Sequence, residues 1–336
     1  MKAVRTDQEI ECPEIDAGLR ARGVELVTLP DGVPEDRLMQ EVADADLLMM
    51  CYTPITARII AAARRLKGIV KYGVGIDAID IPAAMARGIP VVNVPDYAQE
   101  TVAEAAFALM IALARRLPEI GRTMERDGWI WPTGRWLGRD IAGATVGLVG
   151  TGKIGRGMAR MAGAGFRARV LGYDPHVDAA TMAAAGIEKV DDLQAMLRQC
   201  DFVSLHSMLN TSTRHLIGRA ELACLKPAAI LVNVSRGALI DEAALVEAVL
   251  AGCLGGVGLD VYGEEPLAKE GHPLSALFGR PDVILFPHLA FFTGEAMRRL
   301  SDDTLARCFE VLEGRPVEIR SHDPRLRVQQ HNVVFL

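Results

Sequence analysis

Paired cysteines, basic runs and long apolar stretches are all missing from this chain. Its six cysteines, at 12, 51, 200, 224, 253 and 308, include no C-x-x-C pair. A disulfide framework or a metal centre is therefore not expected, and the thiols read as the reduced, mostly buried thiols of a cytoplasmic protein. Lys and Arg number 37 against 43 Asp and Glu, a net charge of −6, and basic residues never run beyond pairs such as Arg64-Arg65, Arg115-Arg116 and Arg298-Arg299. That argues against nucleic acid and against anionic lipid as partners. The longest apolar run, Ala105 to Ala114, is too short to cross a bilayer. The opening residues, Met1-Lys2-Ala3-Val4-Arg5-Thr6-Asp7, lack the apolar core of a secretory signal. There is no repeat of solenoid period and no low-complexity tract.

What remains is a chain of 336 residues, half of them hydrophobic and 24% charged, long enough for two domains with sizeable cores. Short apolar runs alternate with helical patterns from end to end. Leu26–Leu29, Leu47–Cys51, Ile69–Tyr72 and Val91-Val92 read as buried strands, separated by helices near Glu35–Ala43, Ala57–Arg65 and Pro82–Arg87. A long helix is predicted over Gln99–Arg116. A second series starts at Thr145, with strands at Thr145–Val149, Arg169–Tyr173, Phe202–Leu205, Ile230–Asn233, Val257–Asp260 and Val283–Phe286, and a last helix spans Thr293–Glu313. This rhythm predicts α/β architecture with doubly wound parallel sheets. Between the series, Trp129 to Trp136 holds all three tryptophans. It reads as an ordered connector packed onto the body.

The sharpest local signal is Gly150-Thr151-Gly152-Lys153-Ile154-Gly155, a G-x-G-x-x-G directly after a strand and opening a helix. The first glycine permits a tight turn, the second lets the backbone approach a diphosphate, and the third lets helix and strand pack closely. The amides of Lys153 and Ile154 would sit at the helix N-terminus, where an anion is stabilised. Asp174 ends the next strand. A carboxylate there accepts ribose hydroxyls and repels a 2′-phosphate, which points to NAD rather than NADP. Polar residues also follow the later strands, at His206-Ser207, Val234-Ser235-Arg236, Asp260 and His288, where ligands bind in such sheets.

The chain resembles the D-isomer-specific 2-hydroxyacid dehydrogenases. The similarity rests on Tyr72-Gly73-Val74-Gly75-Ile76-Asp77, Asn93-Val94-Pro95-Asp96-Tyr97, the glycine loop with Asp174, Asn233 to Asp241, Gly258 to Pro266, and Pro287-His288-Leu289-Ala290. These blocks occur in the family's order over nearly the whole chain. The resemblance implies a Rossmann NAD-binding domain over 99–290. It also implies a discontinuous, flavodoxin-like substrate domain over 1–98 and 291–336, with the substrate held in the cleft between the two.

The family's catalytic trio falls on Arg236, Glu265 and His288. His288 would exchange a proton with the substrate oxygen, Glu265 would hold its ring, and Arg236 would offer a planar fork of donors to a carboxylate. Glu264 is the rival carboxylate, and Glu265 is preferred because it precedes Pro266. The amides of Val74 and Gly75 resemble the family's second carboxylate clamp. On the cofactor side the resemblance implies Gly150, Gly152, Lys153, Ile154, Gly155 and Asp174, with Ser207 and Val234 lining the site and Asp260 on the nicotinamide carboxamide. Thr101 reads equally as a helix cap or a cofactor contact.

Phe291-Phe292 are similar to the D-lactate dehydrogenase-like branch and imply an apolar pocket wall, with core packing as the alternative. The Asn93–Tyr97 block is closer to the phosphoglycerate and C-terminal-binding-protein-like branches. No basic cluster is evident beside Tyr52 or Val74, which argues against a phosphorylated substrate. The expectation is an NAD-dependent reductase of a small 2-ketoacid, a homodimer through its NAD-binding domain. The alternative is an NADH-sensing binding protein with little turnover. A formate or phosphite dehydrogenase is a weaker third reading, since Glu265 contradicts the formate enzymes' Gln–His arrangement.

Overall fold

The computed structural model describes residues 1–336. The chain divides into two compact units, Met1–Ala98 with Thr293–Leu336, and Gln99–Phe292. In the first unit, β1 (Lys2–Arg5), β2 (Glu25–Thr28), β3 (Leu47–Met50), β4 (Gly68–Lys71) and β5 (Val91–Asn93) form a parallel sheet of order β2-β1-β3-β4-β5. This is the flavodoxin-like order. β3 and β4 are buried along their whole length, as expected of strands covered on both faces. Two of the helices between strands begin on side-chain caps: Thr56 accepts from the Ile59 amide and Asp80 from the Ala83 amide.

Before Ala98, two elements were not expected from sequence, β1 and the helix Pro13–Ala21. Their charges hide the pattern. Lys2 and Arg5 flank only two apolar residues, and the buried Arg5 is neutralised by Asp16 of that helix at 2.9 Å. Once paired, it can sit in a strand that ends up inside the sheet.

In the second unit, β6 (Thr145–Val149), β7 (Arg169–Tyr173), β8 (Glu188–Lys189), β9 (Phe202–Leu205), β10 (Ile230–Asn233), β11 (Gly256–Leu259) and β12 (Val283–Leu285) form a parallel sheet of order β12-β11-β10-β9-β6-β7-β8. Six of these strands were expected; the two-residue β8 is added at the edge. The order reverses beside β6, so the switch point lies at the carboxyl ends of β6 and β9, where such sheets bind ligands. One face buries Leu197, Val203, Leu231, Leu245 and Val257. The other buries Met110, Leu148, Met158, Phe202 and Val232. Side chains of this size contribute about 1.5–3 kcal/mol each on full burial.

The helix Gln99–Ala114 covers the second face through Ala106, Met110 and Leu113. It ends at Ala114, short of the expected Arg116. Arg116 is left-handed (φ 53°), and a further helix, Leu117–Asp127, follows. The tryptophan segment does not pack as expected. Trp129 and Trp131 are 73% and 74% exposed and meet each other edge-to-face at 6.3 Å. A segment broken by Pro132 and Gly134 has no continuous apolar face with which to seal a body.

The chain returns to the first unit through Gly294–Glu313, a helix capped by Thr293. Its Leu305 sits against Gly18 and its Val311 against Gly68, so it covers the helix Pro13–Ala21 and β4. Two short strands, β13 (Val317–Ile319) and β14 (Val333–Phe335), pair in parallel beyond it. Gln329 completes the tail by bonding both the amide and the carbonyl of Val91. No helix is long and apolar enough to cross a membrane.

Candidate active site

The glycine loop joins β6 to the helix Lys153–Ala159. Gly150 has φ +92°, and a Cβ there would lie 2.7 Å from the carbonyl carbon of His206 and the amide of Ser207. A Cβ on Gly155 would lie 2.4 Å from the Gly150 carbonyl oxygen, whereas one on Gly152 would meet nothing within 4 Å. The loop is thus closed against β9 and against its own helix, and open at Gly152. That is the shape a diphosphate needs for close backbone approach. The first helical turn brings the Lys153 and Ile154 amides to the same rim.

Asp174 follows β7 and does more than the sequence implied. One carboxylate oxygen accepts from the Thr151 amide (2.9 Å) and the Thr151 hydroxyl (3.3 Å), and the other from the His176 amide (3.0 Å). It ties the glycine loop to the end of β7 while remaining half-buried at the surface. On the other side of β6, Ser207 accepts from the Ser235 hydroxyl at 2.6 Å, and Val234 is buried beside it. The wholly buried Asn233 holds this second loop. Its side-chain oxygen accepts from the Ser235 amide and its side-chain nitrogen donates to the Arg236 carbonyl. Arg236 therefore leaves the sheet on a fixed backbone, with its guanidinium donating to the Ser235 carbonyl at 2.7 Å.

Glu265 and His288 are brought together. One Glu265 oxygen accepts from the Tyr262 amide at 2.9 Å, and the other lies 2.6 Å from His288 Nδ1. Glu265, not Glu264, faces the imidazole. Burial opposes ionisation of Glu265, but the His288 hydrogen bond and charge, the Tyr262 amide and the Arg236 charge outweigh it and hold the carboxyl below its ordinary value. An ionised carboxylate accepts only, so Nδ1 carries the hydrogen of this bond.

His288 sits at φ +54°, and its amide donates to the Asp260 and Phe286 carbonyls. The buried Asp260 carboxylate accepts from the Leu289 amide at 2.8 Å and the Ala290 amide at 3.0 Å, fixing the loop that carries the imidazole. Burial pushes the Asp260 carboxyl up to about 6, against the pull of the Ala290 amide, the His288 charge and the Leu289 amide. The Phe291 ring meets the His288 ring edge-on at 6.3 Å.

In the first unit, the Gly73–Gly75 loop follows β4. The Val74 carbonyl accepts from Asn93 at 2.6 Å, while Val74 itself is 46% exposed. Two neighbours were missed from sequence. Asp7, just past β1, accepts from the amides of Cys51, Tyr52 and Thr53 and from the hydroxyls of Thr6 and Thr53. Lys71, at the end of β4 and 5% exposed, reaches the Cys51 carbonyl, lies 3.1 Å from the Cys51 sulfur and sits 5.3 Å from the Tyr52 ring. Lys71 is a single cation beside Tyr52, not a basic cluster. The signal was a lone lysine inside the apolar run Ile69-Val70-Lys71-Tyr72.

Residues 107–290 match the profile of "D-isomer specific 2-hydroxyacid dehydrogenase, NAD binding domain". The chain is 38% identical over 297 residues to a glyoxylate reductase of Korarchaeum cryptofilum, covering 87% of this chain and 88% of that one. It is 37% identical over 293 residues to a D-3-phosphoglycerate dehydrogenase of Methanocaldococcus jannaschii, covering 87% of this chain and 54% of that protein. The chain thus spans about half the length of the phosphoglycerate dehydrogenases it matches. Among solved structures, D-lactate dehydrogenase from Aquifex aeolicus, complexed with NAD and lactic acid, aligns with a TM-score of 0.81 at 27% identity. That alignment covers 93% of this chain and 96% of that one.

Proposed function

The chain belongs to the D-isomer specific 2-hydroxyacid dehydrogenase family, and from that premise we propose that it interconverts a small 2-ketoacid and its D-2-hydroxyacid. The cofactor is NAD, and the closed-and-open glycine loop with Asp174 at its edge fits it. When bound, the cofactor would supply a hydride to the keto carbon in its reduced form, NADH, or accept one from the alcohol in its oxidised form, NAD+. His288 gives its Nε2 proton to the developing alkoxide, and accepts one in the oxidative direction. Glu265 keeps Nδ1 protonated and holds the ring. Arg236 binds the carboxylate and polarises the carbonyl, and the amides of Val74 and Gly75 are assigned to carboxylate binding. Ser207, Val234 and Asp260 line the nicotinamide side. The observation that carries this reading is the 2.6 Å contact between Glu265 and His288 Nδ1, which supports Nε2 as the nitrogen that handles the proton.

Two features bear on the substrate. Phe291 beside His288 supports a small apolar side chain on the 2-ketoacid. Lys71 supports a second reading, in which the far end of the substrate is anionic. NADH oxidation at 340 nm on glyoxylate, hydroxypyruvate, pyruvate, phenylpyruvate, 2-ketoisocaproate and 3-phosphohydroxypyruvate, repeated with NADPH, separates them. Turnover on the unphosphorylated members is expected, faster with NADH. Preference for the phosphorylated one would move the assignment to the Lys71 reading. Tight NADH binding with silence on every member would overturn the enzyme and leave a sensor. We also assign the homodimer contact to the NAD-binding domain, supported by the exposed Leu117, Met124, Trp129, Trp131 and Leu137. The cytoplasm, which keeps six unbridged cysteines reduced, is the proposed location.

A further inference from the structure

β9 alternates cleanly. Val203 and Leu205 enter one core and Phe202 the other, with Ser204 wholly buried. The period of two directs the next side chain, His206, to the Phe202 and Ser204 face. The backbone of His206 is locked to the glycine strand, its amide donating to the Val149 carbonyl at 2.7 Å. Its Cβ lies 3.8 Å from where a Gly155 Cβ would stand, so the imidazole begins directly beneath the glycine loop. Both ring nitrogens are buried and no protein group pairs with either. Ser204 Oγ, on the same face, is also buried without a protein partner. Burial pushes the His206 imidazole down to about 4, so at neutral pH the ring is uncharged, with one N–H to donate and one lone pair to fill. An imidazole in this position is costly to the fold, and a phenylalanine would fill the space without the unmet polar atoms.

We propose that His206 is a positioning residue of the dinucleotide cradle. Its neutral ring donates a hydrogen bond to the diphosphate side of bound NAD, directly or through one trapped water, and so sets the height of the glycine loop. This rests on the NAD-dependent reading above. It assigns the histidine a role in binding, distinct from the proton chemistry of His288. The cost to the free protein is offset when the cofactor docks.

The test compares wild type, His206→Phe and His206→Gln. It uses calorimetric titration with NADH and with ADP-ribose, which keeps the diphosphate and lacks the nicotinamide, and thermal melts without ligand. In His206→Phe the melting temperature should hold or rise while the Kd for NADH and for ADP-ribose both weaken about tenfold. His206→Gln should recover part of that loss. Unchanged Kd values in His206→Phe would overturn the proposal and leave a histidine that serves packing alone, or a structural water shared with Ser204. A loss confined to NADH would also overturn it, since the diphosphate is common to both ligands. Should His206→Phe fail to fold, the ring ¹⁵N resonances of wild-type His206 decide: they must shift on adding ADP-ribose. Wild-type protein that binds neither ligand would instead remove the NAD-dependent reading itself.

Discussion

At the carboxyl ends of β1 and β4, polar side chains turn onto the protein's own loops. At the carboxyl ends of β6, β7 and β9, they surround a glycine loop that is open at Gly152. Asp7 spends both carboxylate oxygens on three amides and two hydroxyls, and Lys71 reaches back to the Cys51 carbonyl. Asp174 also bonds a neighbouring loop, but that loop stands open at Gly152, and below it His206 has no protein partner. Both sheets are parallel, and both place polar residues where such sheets bind ligands. The difference teaches that position alone does not mark a ligand site. The informative sign is a polar group whose bonding capacity its own fold does not use.

The contrast can be broken by substitution. The largest expected effect is on chemistry. His288→Ala should lower kcat by about 10²–10⁴-fold, with the NADH dissociation constant changed by about twofold or less; near-normal turnover would sink the acid–base assignment. Next comes Asp7→Ala, which strands five donors, four of them on buried residues, and should cost about 2–4 kcal/mol in urea unfolding.

The Asp7 effect has a pH signature. Burial works against its ionisation, but the Thr6 hydroxyl, the Cys51 amide, the Thr53 hydroxyl and the Tyr52 amide hold the carboxyl below its ordinary 3.8. A depressed native value means the stabilisation is fully present above that ordinary range and is lost as pH falls through the native value. The gap between wild type and Asp7→Ala should therefore shrink on acidification, and a constant gap would show that the charge is irrelevant. The smallest effect is expected from Asp174→Ala. It should reduce the preference for NADH over NADPH by about tenfold, near 1.4 kcal/mol, with less loss of stability than Asp7→Ala. An unchanged preference would place cofactor selectivity elsewhere. A stability loss equal to that of Asp7→Ala would erase the distinction between the two sheet ends.

The second unit was the more legible in sequence. Its strands are apolar runs bounded by glycine and polar residues, and the functional positions follow directly from strand ends. The first unit was less so, because β1 hides between Lys2 and Arg5 and shows itself only when Asp16 is seen to neutralise the arginine. Asp7 and Lys71 were missed for a related reason. Each looks like an ordinary surface charge until the fold buries it. His206 was legible as a residue after a strand, but not as one left unsatisfied, since that depends on every surrounding side chain. Trp129 and Trp131 misled in the opposite direction: composition says core, while the breaks at Pro132 and Gly134 leave them outside.

The helix Gly294–Glu313 also sets an order of events on the ribosome. It covers the helix Pro13–Ala21 and β4, yet its codons come after all of Gln99–Phe292. At 5–20 residues per second, the nascent first unit waits roughly 10–40 s for its last layer. Throughout that interval the faces at Gly18 and Gly68, against which Leu305 and Val311 later pack, stay open to water.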